Sequence, residues 1–137
     1  MYIVFGNKII DSKEIEDIIR ENTDFNILKD MSKGTKREDM AAFNLSISVD
    51  YLNSLISETC NIDELTEDEL FEEYLALSEE LGVDIEEYLP EYSKIKFKAY
   101  KWDLSENAIN CIVAIGNMEV RENKMLDIIR RLESQVE

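Results

Sequence analysis

The sequence predicts an α+β domain: a small antiparallel or mixed sheet, about four helices packed on one side, and an acidic helical insert between strands. Three observations predict it. Apolar and polar residues alternate over Phe43–Val49 and again over Lys94–Ala99, the period of a half-buried strand. Helix-start residues precede apolar stripes of period 3.6 at several places. The order of these signals is strands, helices, strands, helix, which favours helices laid on a sheet over an alternating βα repeat.

Taken in order, Tyr2–Phe5 and Lys8–Ile10 flank Gly6-Asn7, a glycine-first pair suited to a tight hairpin. Asp11 reads as a helix N-cap with Glu14 completing a capping box, and Ile15, Ile18 and Ile19 give the stripe of a helix over 12–22. Phe25–Leu28 reads as a short strand and residues 30–39 as a polar loop. Phe43, Leu45, Ile47 and Val49 then alternate with Asn44, Ser46 and Ser48 in the clearest strand. Asp50 is expected to cap a helix to about Thr59. Thr66 and Glu69 form a second capping box, and the helix they open is expected to run to Leu81 and stop at Gly82. A short helix follows Asp84 and ends near Pro90. Lys94–Trp102 and Ile109–Ile115 read as strands, with Gly116-Asn117 as a turn after which Met118–Val120 doubles back. Met125, Ile128, Ile129, Leu132 and Val136 make the stripe of a C-terminal helix.

A chain of 137 residues, 45% apolar, with one proline and four glycines, reads as one domain over 1–137 with no linker. It has no apolar run long enough for a bilayer, and Met1–Phe5 lacks the basic start of a signal peptide. Cys60 and Cys111 read as reduced thiols in or near a core. These features point to the cytoplasm, and the Ile-, Lys-, Glu- and Asn-rich usage fits a low-GC bacterial host cell or its phage. Histidine is absent, which removes the commonest general base and metal ligand.

The net charge of −16 is segregated. Lysine and arginine stop at Arg37 and resume at Lys94, and residues 38–93 hold 17 acids. The rest of the chain holds 14 acids against 15 bases. Charge placed in this way makes a field with a direction. On a helical wheel of about 100° per residue, Leu70, Phe71, Tyr74, Leu77 and Leu81 gather on one side of the 66–81 helix. Asp68, Glu72 and Glu79 form one stripe opposite, and Glu69, Glu73 and Glu80 a second beside it. The acids recur about every 3.4 Å of helix axis, close to the phosphate spacing along one DNA strand. Asp68–Glu72 and Glu69–Glu73 are like-charge i,i+4 pairs, each costing a few tenths of a kcal/mol, and no lysine in the helix relieves them. The competing readings are a merely solvated face and internal pairing with the lysine strand at 94–101.

Other chemistry finds little support. Lys94, Lys96, Lys98, Tyr100 and Trp102 are expected on one strand face, where Trp102 and Tyr100 are candidate interface anchors. No calcium-loop or di-iron pattern occurs, so no metal, cofactor or catalytic residue is expected. The segment Lys33-Gly34-Thr35-Lys36 is not a phosphate loop.

The expectation is therefore a non-enzymatic acidic protein that docks on a basic, nucleic-acid-binding surface of a partner protein. The docking residues are Asp63, Glu64, Glu67, Asp68, Glu69, Glu72, Glu73, Glu79, Glu80, Asp84, Glu86 and Glu87. Direct nucleic-acid or membrane binding is not expected. In being small, acidic, cysteine-poor and free of catalytic motifs, the chain resembles phage-encoded anti-restriction and anti-CRISPR proteins, although no motif ties it to one family. An immunity or antitoxin-like protein covering a basic nuclease, and a plain interaction module with a solvated acidic face, are the alternatives.

Overall fold

The computed structural model describes residues 1–136. The chain runs β1 (Tyr2–Phe5), β2 (Lys8–Asp11), α1 (Ser12–Asn22), β3 (Asn26–Asp30), β4 (Met40–Ser48), α2 (Val49–Ile56), α3 (Glu67–Val83), β5 (Ser93–Asp103), β6 (Ala108–Asn117) and α4 (Glu122–Val136). Short 3-10 turns lie at Ser32–Thr35, Ile62–Glu64 and Asp84–Tyr88. Strands β1 and β2 form a hairpin around Gly6, which takes φ +65°. The main sheet is antiparallel throughout, in the order β3-β4-β6-β5. The acidic helical segment is inserted between β4 and β5, as expected.

Alternation along the central strands builds two cores. Ala41, Phe43, Leu45 and Ile47 of β4 share one face with Ile109, Cys111, Val113 and Ile115 of β6. Helices α1, α2 and α3 cover that face through Ile15, Ile19, Leu52, Ile56 and Tyr74, joined by Ile3 and Phe5 of the hairpin. Met40, Ala42, Ile112 and Ala114 point the other way, onto Met125, Ile128, Ile129 and Leu132 of α4. The expected one-sided packing thus holds for three helices, while α4 covers the opposite face. Strand β6 is apolar on both parities, the pattern of a strand buried on both sides.

Several boundaries move for physical reasons. Asp11 caps α1 by accepting from the Lys13 amide and the N-terminal ammonium, with no reciprocal bond from Glu14 among the described residues. Ser48 rather than Asp50 caps α2, because β4 ends there and its hydroxyl accepts from the Tyr51 amide. Helix α3 does not stop at Gly82 but continues to Val83. Gly116-Asn117 is not a turn: both residues finish β6, with Gly116 opposite Met40 and Lys94. A side chain at Gly116 would press on Val120, so the glycine serves close packing there, and the chain turns only after Asn117. Cys111 is buried, but Cys60 is exposed rather than in a core.

Candidate functional site

The acidic surface is built on α3, so its geometry begins with how that helix is held. Its start is fixed by the expected capping box: the Thr66 hydroxyl accepts from the Glu69 amide at 3.2 Å, and the Glu69 carboxylate accepts from the Thr66 amide at 3.0 Å. Those bonds hold the Glu69 carboxyl below its ordinary pKa. The line of closest approach to the sheet is Tyr74, Ser78 and Gly82, all buried, with Leu70, Phe71, Leu75, Leu77 and Leu81 only partly buried beside it. The helix is therefore rolled relative to a wheel centred on its leucines. At its C-terminal half the contact is made by the small residues Ser78 and Gly82, where the sheet brings a large ring to the helix. The Phe97 side chain lies where a Cβ at Gly82 would stand.

Trp102 supplies the second hold. Its ring meets Tyr74 edge-on at 5.1 Å and Phe71 at 6.2 Å, and its indole N–H donates to Asn107 at 3.3 Å. The Tyr74 hydroxyl in turn donates to Asn53 of α2 at 2.6 Å. Trp102 and Tyr100 do not share a strand face, contrary to expectation. A β-bulge between Ala99 and Lys101 inserts one residue, so Tyr100 stays on the α4 side with Lys94, Lys96 and Lys98 while Trp102 turns to the α3 side. Tyr100 donates to Asn44 there at 3.0 Å. Both aromatic residues are half-buried and engaged within the fold.

The acids fall into two groups. Asp63, Glu64, Glu67, Asp68, Glu69, Glu72, Glu73, Glu80, Asp84, Glu86 and Glu87 are exposed. Glu79 is not part of that surface in the same way: it is half-buried, and its carboxylate accepts from the Ala99 amide at 3.3 Å, at the bulge. Strand β5 is an edge of the sheet, and Glu79 satisfies an amide that the ladder with β6 does not use. Burial, with the Glu79 charge added, pushes the Cys111 thiol up.

No acid of α3 or of the flanking 3-10 turns forms an ion pair with a lysine or arginine among the described residues. The lysine strand is turned away from them. Lys94 donates to the Val120 carbonyl at 2.8 Å, and both Lys94 and Lys96 pair with Glu122 of α4. Lys96 holds the Glu122 carboxyl below its ordinary range. Internal neutralisation of the α3 face by residues 94–101 is thereby ruled out. Among the described residues, no three or more acidic or thiol side chains gather in a way that would hold a metal ion.

Among the described residues one buried side-chain polar atom is left without a partner, the Ser78 hydroxyl of α3. An unsatisfied buried hydroxyl costs about 1–3 kcal/mol, so Ser78→Ala is expected to be neutral or to stabilise the fold by up to about 1 kcal/mol. Urea unfolding checks this, and a loss of more than about 1 kcal/mol would show that the hydroxyl has a partner in solution.

A feature that joins the acidic stretch to the segment after α1 completes the site. A cleft of about 150 Å³ opens between the end of α1, β4, α2 and the end of α3. Phe25, Ile47 and Ile85 form its buried floor, and Asp24, Asp84, Tyr51 and Tyr88 stand around it. The Asp24 carboxylate beside the Tyr51 phenol raises that hydroxyl above its ordinary pKa. The sequence singled out Asp84 only as one of many acids, and it had no signal for Asp24, which precedes the acidic stretch by fourteen positions. No helix among the described residues is long and apolar enough to cross a membrane. No family model, curated protein or solved structure matches the chain.

Proposed function

We propose that this chain is a non-enzymatic acidic binding protein that docks the outer face of α3 and its flanking turns on a basic, nucleic-acid-binding surface of a partner protein, and so inhibits it. The observation that carries the reading is the unpaired state of the α3 acids while the nearest lysine strand spends its charge on the other side of the sheet. Self-repulsion along α3 is relieved when a partner brings positive charge. The aromatic clamp and the capping box hold the helix in one orientation, so the charge is presented as a fixed array rather than a loose tail. Long-range attraction between such an array and a basic groove speeds association and makes binding salt-dependent. A partner of this kind would place its action in the cytoplasm.

The experiment is affinity capture from the host at low and high salt, with Glu72→Lys, Glu73→Lys and Glu80→Lys combined as the control. These three are exposed and make no hydrogen bond among the described residues, so the substitution leaves the capping box intact. Each rim charge contributes up to about 1 kcal/mol, so triple reversal is expected to weaken binding by up to roughly a hundredfold. A captured basic protein whose affinity is indifferent to both salt and the triple reversal would overturn the reading. It would favour a plain interaction module.

A further inference from the structure

We infer that the cleft between Asp24 and Asp84 is a receptor for a single arginine side chain of the partner. This deepens the proposed docking reading and rests on it for the identity of the partner as a basic protein. Three features of the cleft converge on that occupant.

The first is size and depth. At about 150 Å³ the cavity is smaller than the clefts that enclose drug-sized ligands, and suits one long side chain. The second is the division of its chemistry. The floor and inner wall are apolar: Phe25, Ile47 and Ile85 are buried, and Leu81 is half-buried. The mouth carries the exposed carboxylates of Asp24 and Asp84 and the exposed ring of Tyr88. An apolar stem ending in a cation fits that gradient, because arginine buries its methylenes and keeps its charge at the rim. A planar guanidinium can meet a carboxylate with two parallel N–H bonds and lie on a tyrosine face, which an ammonium cannot do as well. The third is charge. None of the lining residues is basic, so no positive charge in the cleft answers the two carboxylates. Tyr51 lines the cleft together with Asp24.

The cleft also sits where the proposed interface needs an anchor. Leu81 and Asp84 belong to the end of α3 and the 3-10 turn that follows, so an arginine seated here is continuous with the acidic face. Exposed acids along α3 steer and orient, whereas a side chain enclosed by apolar walls supplies residence time.

The test uses the full chain and N-acetyl-arginine amide as probe, followed by amide chemical shifts, with N-acetyl-citrulline amide as the uncharged control of nearly the same shape. The arginine probe is expected to shift Phe25, Ile47, Leu81 and Ile85 with a Kd on the order of 1–10 mM. The citrulline probe is expected to leave them unmoved. Asp24→Asn with Asp84→Asn is expected to weaken the arginine probe about tenfold, two exposed charge contacts being removed. No saturable shift in the cleft at about 50 mM probe, or equal binding of both probes, overturns the inference. So does equal binding by the wild type and the double variant. The reading of α3 is tested separately: loss of partner binding on triple reversal with a silent cleft leaves α3 standing and removes the arginine site. Arginine binding in the cleft, together with a partner indifferent to α3 reversal, does the converse.

Discussion

Trp102→Ala is expected to lower stability by about 3 kcal/mol and to loosen α3 from the sheet. Truncating a large aromatic side chain costs about 3–5 kcal/mol when it is fully buried. Trp102 is half-buried, which reduces that figure, but it also closes edge-on pairs with Tyr74 and Phe71, each adding about 0.5–1.5 kcal/mol beyond area. Tyr74 carries the strain onward, since its hydroxyl is bound to Asn53 and its ring is almost fully buried against the tryptophan. Urea unfolding followed by circular dichroism is the measurement, because the substitution removes the only tryptophan and with it the usual fluorescence signal. A stability change within about 0.5 kcal/mol would mean the ring is a surface residue in solution. That result, paired with a loss of partner binding, would return Trp102 to the role of a free anchor expected from the sequence. The wild-type geometry instead makes it a positioning residue that keeps the acidic helix aimed outward.

How much of this was legible follows from which forces write themselves into a pattern. The Thr66/Glu69 capping box and the β4 alternation were readable because each is local: a hydroxyl meets an amide three residues away, and polar and apolar side chains alternate across a pleat. The placement of α4 on the far face was less so. Its signal lay in β6, where Ile112 and Ala114 are as apolar as Val113 and Ile115, and such a strand needs cover on both sides. The bulge at Ala99–Lys101 left one mark in the sequence, the change of phase from lysines at 94, 96 and 98 to Lys101, which placing Tyr100 and Trp102 on one face passed over. Yet that one inserted residue decides that Trp102 faces α3 and the lysines do not. The inward bond of Glu79 was not readable either, since its partner is an edge amide of β5 that only the assembled sheet brings beside α3. The acidic face itself was legible as composition, while its lack of internal partners required the sheet to be seen.

The largest remaining effect is expected at Gly82, which the sequence offers as a helix stop and the fold uses as a contact. Leucine there should cost about 3 kcal/mol, with a fall in Tm on the order of 10 °C. Two terms oppose each other. Replacing a helical glycine by a side chain gains up to about 1 kcal/mol in helix propensity. Against that, the Phe97 ring occupies the space of the first carbon added, and moving it aside breaks its contact with Phe25 at 5.4 Å. Overpacking of a tight contact costs about 1–3 kcal/mol for modest additions and more when the neighbour is fixed, so the clash wins. The same geometry predicts a rescue: Phe97→Ala combined with Gly82→Leu should recover part of the loss, because the leucine fills the volume the ring vacates. A double-mutant cycle measures that coupling, expected at about 1–2 kcal/mol in the favourable direction. If Gly82→Leu is neutral, or if its penalty is unchanged by Phe97→Ala, then α3 does not rest on β5 through this point. The acidic face would then lose the rigid support on which a fixed array of charge depends.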